Sequence, residues 1–68
     1  MKKKILMATT ERGDLCRCNY CGKYVFVPIE EEVCPICHFD GALAYAIDDK
    51  IYSIGDKEIT DNFNIVRL

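Results

Sequence analysis

Four of the five cysteines in this 68-residue chain fall into two spaced pairs, Cys18-Asn19-Tyr20-Cys21 and Cys34-Pro35-Ile36-Cys37, with twelve residues between them. Two cysteines separated by two residues turn back on one ion in a tight loop, where backbone N–H groups can point at the sulfurs. Two such loops at the ends of a hairpin close a tetrahedral site in which sulfur fills every position. Twelve residues suffice for a strand, a turn and a return. Packing gives no reason for the paired spacing, because a buried thiol acts as a small hydrophobe wherever it falls. Cys18, Cys21, Cys34 and Cys37 are therefore the expected metal ligands. Sulfur-only ligation in a tetrahedron selects zinc, with iron in a single-iron site as the alternative, and the spacing admits both. In small zinc modules the metal contributes folding free energy on the order of 10 kcal/mol.

The residues beside the pairs take conformational readings first. Gly22 follows the first pair, where the chain turns sharply and a positive φ suits glycine. His38 holds the matching place after the second pair and reads as a turn residue at φ > 0. Its other readings are a ligand, for which four thiolates leave no vacancy, and a hydrogen-bond donor to a sulfur. Cys16 is the odd cysteine. Cys16-Arg17-Cys18 is too tight for a metal-binding loop, and on a strand the two cysteines share a face. It reads as a bystander, with a swap for Cys18 in another register and a redox-sensitive thiol beside Arg17 as alternatives. Ser53, Thr60 and Asp61 make no nucleophile-and-base set with the single histidine, which removes a catalytic triad. Four sulfurs on one ion also leave no position for a catalytic water. A redox role of the thioredoxin kind would need its Cys-x-x-Cys pair in a βαβ frame, which the pattern lacks. The chain reads as a non-enzyme.

The elements that must position these cysteines are short. A chain of this length buries only about 60% of the surface its unfolded form exposes, so it needs disulfides, a metal or a partner. Lys2-Lys3-Lys4 followed by Ile5-Leu6-Met7-Ala8 starts like a secretory signal. The apolar run stops well short of the roughly 7–15 residues such a signal needs. No run approaches the roughly 20 apolar residues of a membrane span. The expected location is the cytoplasm, where disulfides do not persist and cysteine pairs bind metal; the odd cysteine count agrees.

Net charge is −2, and four thiolates around a divalent ion would bring it to about −4. Residues 1–27 carry six bases against two acids, whereas residues 28–68 carry three bases against nine acids. That balance is unlike the basic footprint of a nucleic-acid binder, so a protein partner is expected rather than nucleic acid or membrane. The lysine run reads as a frayed, solvated terminus, and Glu30-Glu31-Glu32 as a solvated loop.

Hydrophobic alternation predicts a mostly-β domain. Ile5–Ala8 is a short strand and Glu11–Asp14 a turn by its Gly and Asp. Leu15–Arg17 leads into the first cysteine pair. Tyr24-Val25-Phe26-Val27 has strand composition, and Pro28 ends it or marks it as an edge. Residues 42–47 alternate small and large, placing Leu43, Tyr45 and Ile47 on one face; their alanines equally suit a turn of helix. Ile51–Ile54, Gly55-Asp56 and Lys57–Thr60 read as a β-hairpin with glycine first in a type II′ turn. Residues 63–68 form either a last strand or a short helix capped by Thr60 or Asp61.

Cys18-Asn19-Tyr20-Cys21-Gly22 and Cys34-Pro35-Ile36-Cys37 resemble the two knuckles of zinc ribbons and of the rubredoxin-like fold. The twelve-residue separation is similar to that of the short rubredoxin-type domain of rubrerythrins. The resemblance covers about residues 15–41. It implies a structural zinc, as in the ribbons, or an iron that carries single electrons, as in rubredoxins. Tyr20, Tyr24, Phe26 and Phe39 are the aromatic residues near such a site. The expectation is one domain over residues 1–68: a small mostly-β, metal-stabilised fold with its metal-binding core at 15–41 and an added C-terminal β extension at 42–68. Its function would be that of a non-enzymatic zinc module contacting a protein, with an iron electron carrier second and a nucleic-acid-binding ribbon third.

Overall fold

Tyr24-Val25-Phe26-Val27 is apolar at every position, the pattern of a strand covered on both faces. In the computed structural model, which describes residues 3–48 and 50–68, Val25, Phe26 and Val27 are all buried. In chain order the elements are β1 (Lys4–Ala8), β2 (Arg12–Cys18), β3 (Tyr24–Val27), β4 (Leu43–Tyr45), β5 (Ile51–Ser53), α1 (Lys57–Thr60) and β6 (Phe63–Arg67). The strands form one mixed sheet in the order β4-β2-β3-β1-β6, with β5 also paired to β2. β3 inserts between β1 and β2, running antiparallel to β2 and parallel to β1. β6 runs parallel to the other edge of β1. Pro28 therefore terminates a central strand and does not mark an edge.

The sheet has a core on each face. Leu6, Ala8, Leu15 and Phe26 point to one side, where Tyr52, Ile54, Ile59 and Phe63 from the C-terminal half cover them. Cys16, Cys18, Val25 and Val27 point to the other, under Cys34 and Ala42. Strand alternation assigns the faces: odd residues of β2 join the first core and even ones the second. β2 serves β4 and β5 at once along one side. Its C-terminal half pairs with β4, Cys16 opposite Tyr45 and Cys18 opposite Leu43, while its N-terminal half pairs with β5.

Several expectations need correction. Glu11–Asp14 is not a turn. Gly13 lies inside β2, where a Cβ would stand 2.0 Å from the Val27 carbonyl oxygen, so this glycine permits a close backbone approach. The C-terminal hairpin is absent as well. β5 pairs with β2 instead, Tyr52 opposite Gly13, and 57–60 forms a single helical turn. Asp56 directs that outcome: its carboxylate accepts the Ser53 N–H at 2.8 Å, and its carbonyl accepts the Ile59 and Thr60 N–H groups. The helical turn buries Ile59 completely in the first core. Residues 63–67 resolve as a strand, with Phe63 buried. Nor do the described lysines fray: Lys3 Nζ donates to the Thr60 carbonyl at 2.7 Å, and Lys4 lies over the Tyr24 ring. Lys2 lies outside the described residues. Among the described residues no helix is long and apolar enough to cross a membrane.

Candidate metal centre

Cys18 is the last residue of β2, and the chain turns immediately. The Cys18 N–H donates to the Lys23 carbonyl at 2.9 Å, and the Gly22 N–H donates to the Cys18 carbonyl at 2.8 Å. Gly22 takes φ 75° at this turn. The second loop repeats the design between Val33 and Asp40, which form an isolated bridge. Here the His38 N–H donates to the Cys34 carbonyl at 2.9 Å, and His38 takes φ 62°. The Asn19 N–H of the first loop donates to the carbonyl of Ala42, just beyond the second loop, at 2.8 Å.

These turns bring Cys18, Cys21, Cys34 and Cys37 to one place. Their sulfurs all lie within 4.8 Å of one another. Across the two loops, Cys18 is 3.6 Å from Cys37 and Cys21 is 3.8 Å from Cys34. A tetrahedron with metal–sulfur bonds of about 2.3 Å has edges of about 3.8 Å. The donor set thus matches a four-sulfur metal site, and the four cysteines could hold a metal. Backbone N–H groups point at the sulfurs: that of Cys21 at Cys18 Sγ (3.5 Å) and that of Ile36 at Cys34 Sγ (3.4 Å). Such donors favour the thiolate form that binds metal.

Without a cation the Cys18 and Cys37 thiols are unequal. The Cys21 N–H, joined by that of Tyr20, lowers Cys18 to about 6 against the opposing effect of burial. Burial outweighs the Phe39 N–H at Cys37 and pushes it up to about 12. A divalent ion removes this inequality, since metal binding requires every ligand as thiolate.

Cys16 lies on the metal face of β2, buried, but outside the four-sulfur group. Burial and then the charge of Asp14 raise its thiol to about 11. His38 acts as the expected turn residue. Of the four aromatic residues expected nearby, only Tyr20 and Phe39 flank the loops. Their rings stack at 4.6 Å with 16° between planes, and both are exposed. Tyr24 and Phe26 belong to the opposite core. Sequence reasoning missed the Tyr20–Phe39 pair, whose signal was the placement of one aromatic on each loop. It also missed Asp14, a carboxylate only 8% exposed on the metal face; a charge at an even position of β2, in phase with Cys16 and Cys18, was the clue.

No protein-family model matches the chain, and neither a curated protein nor a solved structure matches it significantly. Fold and site define a small mostly-β protein whose four-cysteine cluster is compatible with metal binding.

Proposed function

We propose that this chain is a non-enzymatic, cytoplasmic zinc module of the ribbon or rubredoxin-like kind, in which Cys18, Cys21, Cys34 and Cys37 hold one structural zinc and the surface contacts a protein. The observation that carries the reading is the convergence of four sulfurs from two matched loops, with inter-loop separations of 3.6 and 3.8 Å. A bound zinc supplies a redox-inert cross-link between the end of β2 and the 33–40 loop, the reinforcement a chain of this size needs. Contact with a protein is supported by the exposed Tyr20–Phe39 stack and by β6, the last strand of the sheet order. Stacked aromatics and edge strands are common elements of protein recognition.

Iron in the same four sulfurs, carrying single electrons, is the second reading. It is favoured by the N–H groups of Cys21 and Ile36 on the sulfurs, since such bonds also tune iron–sulfur potentials.

Metal content and visible spectrum of protein purified without added metal test both. One zinc per chain and no colour is the expected result. One iron with sulfur-to-iron charge-transfer bands and reversible reduction replaces it with the second reading. A folded chain with neither metal overturns both.

A further inference from the structure

Asp14 points from β2 to the metal face and is only 8% exposed. Among the described residues no hydrogen bond or ion pair reaches its carboxylate, although none of its oxygens is both sealed from solvent and unpartnered. The oxygens therefore open outward, and the opening is a cleft of about 630 Å³ that Asp14 lines with Cys16, Glu30, Glu31, Glu32 and Tyr45. Among the described residues, four acids and no base border this cleft. An entering cation can pair with the Asp14 oxygens directly, since no hydrogen bond or ion pair from a described residue competes for them.

We infer that this cleft receives the guanidinium of an arginine side chain from a partner protein, with Asp14 as the buried anion at its base. The inference rests on the protein-contact reading above and names the chemistry of the contact. A planar guanidinium offers five donors and pairs with carboxylates in two-point fashion, which an ammonium does not. Glu31 holds the rim in shape, its carboxylate accepting the N–H groups of Glu32 and Val33 at 3.1 and 3.2 Å. A metal ion is a poorer occupant, because the four-cysteine cluster is the only group of metal-binding side chains among the described residues close enough to share one.

The test is a titration of the metal-loaded, isotope-labelled protein with a capped Gly-Arg-Gly peptide, followed by amide chemical shifts. Matched lysine and citrulline peptides serve as controls. We expect saturable shifts centred on Asp14, Cys16 and Leu43, with a Kd on the order of 1 mM, as suits one side chain. Asp14→Asn should weaken binding about tenfold or more, the loss expected when one partner of a charge-assisted pair is removed. Glu30→Gln, on the exposed rim, should weaken it a few-fold and serves if Asp14→Asn fails to fold. The proposal is overturned if citrulline binds equally or lysine binds more tightly. It is equally overturned if the shifts spread to Asp56, Glu58 and Asp61, or if neither variant alters the affinity. Metal content measured on the same sample separates failure of the cleft from failure of the metal centre.

Discussion

Gly22 and His38 are conformational counterparts. Each follows the second cysteine of its loop, each sits at positive φ (75° and 62°), and each donates its N–H to the carbonyl of the first cysteine. One loop uses the residue that adopts this conformation freely, and the other uses histidine, one of the few side chains enriched there.

This equivalence makes His38 a turn residue, and its ring should be dispensable for metal binding by the four cysteines. His38→Gly should leave metal stoichiometry and affinity unchanged, with stability within about 0.5 kcal/mol of the parent, because relief of strain and added chain entropy offset each other. His38→Val, branched at Cβ, should lose about 1–2 kcal/mol. Urea unfolding and competition with a metal-sensitive chelator measure the two effects. A tenfold loss of metal affinity in His38→Gly would show that the imidazole takes part in binding.

Gly13 should tolerate no side chain. A methyl group there meets the backbone carbonyl oxygen of Val27, at the end of the central strand, at 2.0 Å, so the strand must shift. Gly13→Ala should destabilise the protein by about 1–3 kcal/mol. Gly55→Ala, whose new Cβ meets nothing within 4 Å, should change stability little. Thermal unfolding of the pair makes the comparison; equal midpoints would contradict the packing of β2 against β3.

Cys16 should behave as an inert thiol. Its value of about 11 lies three units above pH 8, so roughly one molecule in a thousand carries the reactive thiolate there. A disulfide reagent added to metal-loaded protein at pH 8 should find no rapidly reacting thiol. All five cysteines should react after chelation and unfolding. Rapid labelling at Cys16 in folded, metal-loaded protein would restore the redox-sensitive reading.

Tyr52 should make the fold sensitive to alkali. Burial, and next its hydrogen bond to Asp48 at 2.9 Å, raise the phenol above its ordinary value of 10.0. Below that value the phenol is protonated in both folded and unfolded chains, and its contribution is fully present. As pH rises further, the unfolded chain releases the proton while the folded chain retains it, so stability falls. Tyr52→Phe should lose about 1 kcal/mol at pH 7 with the hydrogen bond, and its stability should decline less steeply above pH 10. Parallel decline in parent and variant would place the alkaline sensitivity elsewhere.

The metal-binding pattern was legible along the chain because it is local. Cys-x-x-Cys followed by a residue tolerant of positive φ folds into its loop through bonds spanning four residues, as both Gly22 and His38 show. The Tyr24–Val27 strand was legible for the same reason, since β-branched and aromatic residues favour extended backbone. What lay beyond reach was every choice between distant partners. Gly13 looks like a turn until Val27 approaches it. Residues 51–60 suit a hairpin until β2 offers β5 a free edge and Asp56 captures the Ser53 N–H. Asp14 looks like a surface acid until the 30–32 loop comes to border the same cleft beside it. By itself the sequence determined which side chains could share an ion and which segments could extend. Tertiary structure alone decided which strands pair, which face each buries and which carboxylate lies at the base of the acidic cleft, because those outcomes depend on competition among contacts far apart in the chain.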